Sequence, residues 1–421
     1  MVLKKYKLGE IADIVNGATP STSCEENYDG DIVWITPKDL SEQKSKYIEQ
    51  GSRNITQKGR TSCSVQMIPA YNILMSSRAP IGLLAINKTD CCTNQGFKNI
   101  VIDKSICDVD YLYYYLKYHI KEVEALGSGT TFKEVSKASL QQFEIAIQTL
   151  EFQKHIASVL SNIDHKIELN RAINQNLEAM AKQLYDYWFV QFDFPDENGK
   201  PYKSSGGKMV WNEKLKREIP YKWELSSFEK ISLVKRGASP RPIDDYMDES
   251  HKGLPWVKIS DATSSDSPFL FEIKEYIIPK GVSKSVKVYP GSFIVSNSAT
   301  PGIPKFMGID ACVHDGWLII SNFEEHYRYY LYYAIKYLRA SLINTASGSI
   351  FKNLKTDYLK SSPVIIPNDR ILNMFHRNID FIMNKIKVTT KETIILSKQR
   401  DELLPLLMNG QVSVNSDLSA H

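Results

Sequence analysis

Three charged residues, Asp266, Glu272 and Lys274, stand in the order that metal-dependent nucleases use. In such enzymes, carboxylates bind a divalent cation that activates the attacking water. The first half of the chain has Gln50 and Ser52 at the positions that correspond to Glu272 and Lys274. Because such triplets also arise by chance, we favour a non-catalytic interpretation of this segment.

Other catalytic motifs are missing from the sequence. An adenine methyltransferase needs a glycine-rich cofactor loop and an Asn/Asp-Pro-Pro-Tyr/Phe motif, and the chain has neither. Residues 200–208 contain glycines without the spacing of a phosphate-binding loop. The eight histidines and six cysteines show no metal-ligand spacing. The sequence therefore predicts no catalytic residue, no metal site and no cofactor held by this chain.

The composition is that of a folded, water-soluble protein. The chain has 421 residues, enough for two or three domains, and 43% of them are hydrophobic. The formal net charge of +4 permits nucleic-acid binding but does not by itself indicate it. No apolar run approaches the ~18 residues of a membrane-spanning helix, and the basic start lacks the apolar core of a signal peptide. Cysteines without paired spacing favour a cytoplasmic protein with reduced thiols.

The sequence contains an internal repeat: two similar units are offset by about 220 residues. Gly17-Ala-Thr-Pro20 parallels Gly237-Ala-Ser-Pro240, and Tyr111 to Tyr118 parallel Tyr330 to Tyr337. Further matched segments are 33–36 with 255–258, 57–59 with 279–281, 73–82 with 293–302, and 128–133 with 347–352. Short apolar runs predict strands in each unit, and tyrosine-rich segments predict a helix. The tyrosines recur at helical spacing, which favours a place in the core over stacking on bases.

Each unit ends in a long amphipathic segment with a heptad repeat. Neither seam can stay exposed to water, so we predict that the two helices pair as an antiparallel coiled coil. The seam positions of the first helix are Ile156, Leu160, Ile163, Ile167, Leu177 and Leu184, and those of the second are Phe375, Ile379, Ile382, Ile386, Leu396 and Leu403. Both seams are interrupted at the same level by polar pairs, Asn170 with Asn174 and Thr389 with Thr393. These polar residues are expected to set the register.

The predicted fold class is α+β, with two similar mixed α/β domains, each followed by a long helix. The predicted boundaries are 1–148 and 223–367 for the two domains, 149–190 and 368–410 for the two long helices, 191–222 for a linker, and 411–421 for a tail. A seam of this length spans about 42 Å at 1.5 Å per residue. One turn of B-DNA spans about 34–36 Å, so such a pair of helices has the length to separate two sites on one face of a duplex.

The doubled arrangement resembles the specificity subunit (HsdS) of type I restriction-modification enzymes. The resemblance covers the whole chain in order. It rests on the two Gly-Ala-Thr/Ser-Pro segments, on Ser128-Gly-Thr-Thr-Phe-Lys133 with its copy at 347–352, and on the helix ends Leu184-Tyr-Asp-Tyr-Trp-Phe189 and Leu404-Pro-Leu-Leu-Met-Asn-Gly410. Gln148 departs from the pattern, because the second copy has Pro367 there.

The resemblance implies a non-catalytic DNA-binding subunit with two target recognition domains, each reading one half of a bipartite, asymmetric sequence. It further implies that the helices set the spacing and dock two modification subunits, which bind S-adenosylmethionine and methylate adenine. Restriction subunits that use ATP and Mg²⁺ complete such a phage-defence complex. The bases read are not implied, since the recognition domains are the variable part of these proteins.

Side chains that read base edges are polar and lie on rigid loops. Two pairs of loops meet this description. We expect DNA contacts from the first pair, Ser76, Ser77 and Arg78 with Ser296, Asn297 and Ser298, and from the second, Asn94 and Gln95 with His314. Arg78 suits guanine and Asn297 suits adenine. Phosphate contacts are expected from Thr130, Thr131, Lys133, Ser349 and Lys352 in a third pair of loops, and from Arg236 and Arg241. Plain surface turns are the alternative interpretation.

Two other classes of protein stay open. One is a catalytic nuclease or methyltransferase, against which the missing motifs weigh. The other is a stand-alone, pseudo-dimeric DNA-binding regulator or scaffold, which would not form a stable complex with methyltransferase chains.

Overall fold

The computed structural model describes residues 3–43, 45–128, 133–345, 354 and 356–412, with backbone alone at 341–345. The chain divides into two units. Unit 1 comprises residues 1–168 and 395–421, and unit 2 comprises residues 169–394. Among the described residues, no helix combines the length and the apolar character needed to cross a membrane.

Unit 1 is a mixed α/β domain built around a five-stranded sheet. Its strands are β1 (Lys4–Lys7), β2 (Ala12–Asn16), β3 (Tyr28–Ile32), β4 (Trp34–Ile35), β5 (Tyr47–Ile48), β6 (Ile73–Met75), β7 (Leu84–Asn87), β8 (Cys92–Thr93), β9 (Lys98–Ile102) and β10 (Glu144–Ile147). Its short helices are α1 (Leu8–Ile11), α2 (Pro37–Glu42), α3 (Gln57–Ser62), α4 (Val109–Tyr118), α5 (Ile120–Ala125) and α6 (Lys137–Gln141). The long helix α7 (Leu150–Tyr185) follows and continues into a π-helical turn at Asp186–Val190.

In unit 2 a hairpin precedes a second domain, which repeats the five-stranded sheet of unit 1 and adds strands of its own. Its strands are β11 (Met209–Asn212), β12 (Arg217–Pro220), β13 (Glu224–Ser227), β14 (Leu233–Arg236), β15 (Leu254–Val257), β16 (Phe269–Leu270), β17 (Tyr276–Ile277), β18 (Val286–Val288), β19 (Phe293–Ser296), β20 (Pro304–Met307), β21 (Ala311–Val313), β22 (Trp317–Ser321) and β23 (Pro363–Ile366). Its helices are α8 (Phe228–Ile231), α9 (Ile259–Ser264), α10 (Pro279–Val282), α11 (Arg328–Thr345), α12 (Thr356–Ser361) and α13 (Asp369–Met408).

The two units share one sheet topology, so the repeat in the sequence is a repeat of structure. The strand order β2-β9-β6-β7-β5 in unit 1 corresponds to β14-β22-β19-β20-β16 in unit 2. In both sheets the last pair is parallel and the others are antiparallel. The parallel pair β4-β8 corresponds to β15-β21, and the closing pair β1-β10 corresponds to β13-β23.

The tyrosine-rich helices pack in the cores of their units. On α4, the side chains of Tyr111, Tyr114 and Tyr115 are buried, as are Tyr330 and Tyr333 on α11. Aromatic rings at helical spacing supply a large apolar area to one face of a helix. The prediction that these residues belong to the core is therefore confirmed.

The two long helices pair antiparallel within each unit, which confirms the predicted coiled coil. In unit 1, Ile156 and Leu160 share a core with Leu404 and Leu407. In unit 2, Ala181 and Tyr185 of α7 share a core with residues of α13 that include Phe375, Ile379 and Ile386. Ile156, Leu160, Ile167, Phe375, Ile379 and Ile386 of the predicted seam are buried, and Ile163, Leu177, Leu184, Ile382, Leu396 and Leu403 are half-buried.

The polar interruption of the seam lies in unit 2. Asn170 is buried and donates to Glu392 Oε2 at 3.0 Å, while Asn174 Nδ2 donates to Thr390 Oγ1 at 3.2 Å. The hydroxyl of Thr389 donates to Asn174 Oδ1, and Thr393 donates to the carbonyl of Thr389 in its own helix. The hydrogen bonds that join the two helices are made in one alignment, as a register device requires.

The segment predicted as a linker, 191–222, is folded onto unit 2. Phe192 and Phe194 are buried in its core, and the Phe194 ring stacks on Trp223 with centroids 4.6 Å apart. The hairpin β11-β12 follows. The turn-forming residues of this segment predicted a connection between domains. Its aromatic residues pack the segment against the core of unit 2.

Candidate nucleic-acid interface

Two glycines at equivalent positions bring two loops of each unit into close contact. A Cβ atom on Gly17 would lie 1.9 Å from the carbonyl oxygen of Asn94, and one on Gly237 would lie 2.2 Å from that of His314. Real Cβ atoms do not approach so closely, so only glycine fits at either position. The repeated Gly-Ala-Thr/Ser-Pro segment is therefore held directly against the loop that carries the predicted polar pair.

The turn after the central strand of each sheet is held by a buried serine. Ser76 Oγ donates to the carbonyl of Pro80 at 2.6 Å and accepts from Leu83 N at 2.8 Å. Ser296 Oγ makes the same two bonds, with Thr300 at 2.6 Å and Ile303 at 2.8 Å. Both serines are fully buried, so the geometry gives them a role in shaping the loop.

The next residue ties this turn to the neighbouring loop. Ser77 N donates to the carbonyl of Gly96 at 2.7 Å, and Asn297 N donates to that of Gly316 at 2.8 Å. Ser77 is fully buried, and Asn297 is 5% exposed, with its Nδ2 3.4 Å from the carbonyl of Asp315. The side chains at this position lie at the base of the loops. Arg78 and Ser298, one residue further on, are the more exposed members of the predicted set.

Asn94 and His314 hold the same turn by equivalent hydrogen bonds, although their side chains differ in chemistry. Asn94 Oδ1 accepts from Gly96 N at 2.9 Å, and His314 Nδ1 accepts from Gly316 N at 2.9 Å. Because Nδ1 accepts, the proton of the neutral His314 ring is assigned to Nε2. Burial lowers the pKa of His314, and Lys258 lowers it further against the opposing effect of Asp315. At neutral pH the ring is thus an uncharged donor.

In unit 1 these loops border a groove of about 620 Å³. Its lining residues are Asn16, Gly17, Arg78, Gln95, Lys98, Ser128, Glu134, Ser136 and Lys137. Arg78 Nε and Lys98 Nζ donate to the two oxygens of Glu134, each at 3.0 Å. Burial alone would raise the pKa of Glu134, but the hydrogen bonds from Lys98 and Arg78 outweigh it and hold the pKa below its ordinary value. Exposed Gln95 accepts from Thr19.

A groove of about 620 Å³ also lies beside the same loops in unit 2. It shares two equivalent lining positions with the groove of unit 1, Ser298 for Arg78 and Asp315 for Gln95. Its polar lining residues include Ser239, Arg241, Lys258, Ser298, His314 and Asp315. Asp315 Oδ1 accepts from Ser239 Oγ at 2.7 Å, and Asp315 Oδ2 lies 3.6 Å from Arg236 and 3.8 Å from Arg241. The hydrogen bond from Ser239 and the charge of Arg236 hold the pKa of Asp315 below its ordinary value, although burial opposes them.

The structure thus brings together most of the residues predicted to contact DNA. In unit 1, Arg78 and Gln95 line the groove, Asn94 lies in the loop beside it and Lys133 is exposed. In unit 2, Arg241, Ser298 and His314 line the groove, and Arg236 bonds to the main chain of Asp315 at 2.6 Å. The predicted residues Thr130, Thr131, Ser349 and Lys352 lie outside the described residues. The predicted contacts of all these residues with DNA remain predictions.

The sequence prediction missed Lys98, Glu134 and Asp315. Asp315 had a usable signal, since the repeat aligns it with Gln95, which was included. Glu134 and Lys98 had none, because their meeting depends on the fold. Among the described residues, no group of three or more His, Cys, Asp or Glu side chains is placed to hold a metal ion.

Known proteins resemble this chain over most of its length. A family model for the type I restriction modification DNA specificity domain matches residues 3–179. The type I restriction enzyme MjaIX specificity subunit of Methanocaldococcus jannaschii is 31% identical over 417 residues, which cover 97% of this chain and 93% of that protein. The HindI specificity subunit of Haemophilus influenzae is 24% identical over 347 residues, 70% of this chain and 74% of that protein.

The fold also has a counterpart among solved structures. The crystal structure of the S subunit of a type I restriction-modification system from M. genitalium aligns with a TM-score of 0.59 at 17% sequence identity, over 96% of both chains. At this sequence identity the alignment shows a shared fold.

Proposed function

Because this chain belongs to the family of type I restriction enzyme specificity subunits, which are non-catalytic DNA-recognition subunits, we propose that its two grooves read the two halves of a bipartite DNA sequence. The observation that carries the proposal is the repetition of one pair of loops with different polar side chains. Asn94 and Gln95 in unit 1 are replaced by His314 and Asp315 in unit 2, on the same backbone turn. Similar scaffolds that present different donors and acceptors recognise different bases, so the two half-sites are unequal.

The paired helices also expose apolar side chains outside their seam. In unit 2, Leu169, Ile173 and Met180 of α7 and Phe381 and Val388 of α13 are exposed, and Phe381 is 77% exposed. Phe381 and Val388 are seven residues apart, the spacing of a coiled-coil face. We assign these side chains to the docking of amphipathic helices of the modification subunits.

In the complete assembly, recognition, methylation and cleavage belong to different subunits. This chain supplies sequence recognition, two modification subunits supply S-adenosylmethionine and methylate adenine, and restriction subunits supply ATP- and Mg²⁺-dependent cleavage. In the cell this assembly works on double-stranded DNA in the cytoplasm. The carboxylates and basic side chains of the two grooves are used for recognition, and no step of the chemistry is assigned to them.

A methylome of cells that express this chain tests the proposal. The chain is co-expressed with a partner methyltransferase subunit, and modified adenines are mapped by long-read sequencing. We expect one bipartite motif with two unequal halves. A continuous motif would mean that one unit alone reads DNA. A stable complex without modified adenine would favour the regulator or scaffold, and methyl transfer by the isolated chain would favour an enzyme.

The spacer between the half-sites provides an independent test. Four residues inserted after Asn170, with four inserted at the facing level of α13, lengthen the paired helices by about 6 Å. We expect the number of unread base pairs in the motif to change while both half-sites are kept. The same insertion into the hairpin loop between β11 and β12 is the control, and an unchanged spacer in both variants would contradict the proposed role of the helices.

A further inference from the structure

One edge of the Arg78 guanidinium in unit 1 is hydrogen-bonded to a carboxylate, and the other edge is exposed. Its Nε donates to Glu134 Oε2 at 3.0 Å, and among the described residues Glu134 is its hydrogen-bond partner. Arginine has five N–H donors in a rigid plane. With Nε engaged, the two terminal amino groups keep a pair of parallel donors for a ligand. The side chain is 49% exposed, so this edge is reachable from the groove.

Glu134 is itself fixed from two sides. Its Oε1 accepts from Lys98 Nζ at 3.0 Å, and the Lys98 side chain is only 9% exposed. Lys98 is the first residue of strand β9 and is paired with Asn16 of β2. The backbone of Glu134 forms a bridge with Arg78, and Val135 N donates to the carbonyl of Ser77 at 2.9 Å. Both ends of the Arg78–Glu134 contact are therefore anchored to the sheet.

The charges of this cluster favour a base edge over a phosphate as the ligand. Two cations surround one carboxylate, so the cluster attracts DNA as a whole. The carboxylate lies directly beside the guanidinium, however, and would repel a phosphate placed there. Guanine N7 and O6 are uncharged acceptors whose spacing matches two parallel donors of arginine. A phosphate contact also gains little from a side chain fixed in orientation, whereas a bidentate base contact requires it.

We propose that Arg78, oriented by Glu134 and Lys98, reads a guanine in the half-site recognised by unit 1. Glu134 and Lys98 are positioning residues, since they act through Arg78. Unit 2 has Ser298 at the position of Arg78, so the corresponding contact is absent from its half-site. The inference rests on the proposed function and adds the base that one side chain selects.

The test uses the complete methyltransferase complex and compares methylation of DNA sites that differ at single positions. Arg78→Lys keeps the charge but cannot present two parallel donors. We expect discrimination for guanine at one position of one half-site to fall on the order of 10- to 100-fold, with binding to random DNA unchanged. Glu134→Gln should reduce the same discrimination in part and strengthen binding to random DNA, because the repelling carboxylate is gone. Loss of discrimination at this one guanine, with the other positions of the motif kept, separates a positioning role of Glu134 from a general loss of structure, which would weaken every position of the half-site.

Arg53→Lys is the matched control. Arg53 also pairs with a carboxylate of unit 1, Asp29 at 3.0 Å, but it is not among the described residues that line the groove. The motif should be unchanged. If Arg78→Lys keeps the full motif, or weakens binding to all DNA sequences equally, the inference is wrong. Failure of the wild-type complex to methylate a bipartite motif would instead count against the proposed function.

Discussion

The buried amide of Asn170 on α7 donates a hydrogen bond to the carboxylate of Glu392 on α13, at 3.0 Å. It belongs to the polar interruption of a mainly apolar seam, and Asn174 donates to Thr390 one turn further along. Polar groups inside a coiled coil reduce its stability but penalise every alignment in which they lose their partners. Asn170 therefore specifies the register of α7 against α13 within unit 2.

Replacing the pair tests this role. Asn170→Leu leaves Glu392 without this hydrogen bond and should cost about 1–3 kcal/mol in the free energy of unfolding, measured by urea titration. The double variant Asn170→Leu with Glu392→Leu should recover that loss. It should also give mixed oligomers in size-exclusion chromatography, since alternative alignments are no longer penalised. A double variant that is monodisperse and as unstable as the single one would contradict the assignment.

A buried ion pair fastens α13 to α7 within unit 1. Arg400 Nη1 donates to Asp164 Oδ1 at 2.8 Å, and the Tyr114 hydroxyl donates to Oδ2 at 2.6 Å. The two charged side chains are 17% and 11% exposed. Arg400 also pairs with Asp401 at 2.8 Å, so Asp164→Asn removes one of its two carboxylate partners, and we expect a loss of about 1–3 kcal/mol.

The control for Asp164 is an exposed ion pair in the same unit. Lys38 and Glu42 lie 3.8 Å apart on α2, with most of both side chains in water. Lys38→Ala should change the free energy of unfolding by no more than about 0.5 kcal/mol. Similar losses for Asp164→Asn and Lys38→Ala in calorimetry would show that the buried pair adds no more than the exposed one.

The close approach of Gly237 to His314 predicts a selective defect. Gly237→Ala places a methyl group 2.2 Å from a carbonyl oxygen unless the loops separate, at a cost of about 1–3 kcal/mol. We expect recognition of the second half-site to weaken while that of the first is kept. Gly17→Ala is the reciprocal control and should affect the first half-site alone. Loss of both half-sites from either variant would point to general unfolding, which circular dichroism would reveal.

Acid should weaken recognition by unit 2. Burial lowers the pKa of His314 in the folded protein, against about 6.5 in the unfolded chain. As pH falls below about 6.5 the unfolded chain gains a proton that the folded state resists, so this contribution to stability decreases until the lowered folded pKa is passed. Protonation of Nδ1 also removes the acceptor for Gly316 N.

The pH dependence is measured as DNA binding with sites altered in one half or the other. His314→Asn is the matched variant, because Asn94 holds the same turn in unit 1 through its Oδ1. This variant should bind with less change between neutral and acidic pH than the wild type. Equal acid sensitivity of the two proteins would assign the effect to another group, with Asp315 and Lys258 as the neighbouring charges.

The amino-acid sequence determined the architecture because its signals are periodic and local. Heptad spacing placed Ile156, Leu160, Phe375 and Ile379 on a buried seam. The internal sequence repeat predicted two units of the same fold. Patterns of this kind are readable because burial imposes the same spacing on every copy.

Only the tertiary structure decided which polar side chains meet. Lys98 and Glu134 are 36 residues apart, and neither belongs to a motif, yet the sheet and the loop beside it bring them to the two sides of Arg78. The same holds for Ser76, a predicted contact whose hydroxyl is used inside its own turn. Hydrogen bonds between distant residues depend on ångström-scale placement, which residue type and spacing do not encode by themselves. The sequence therefore determined that two similar recognition units exist, and the fold decided which donors and acceptors each unit presents.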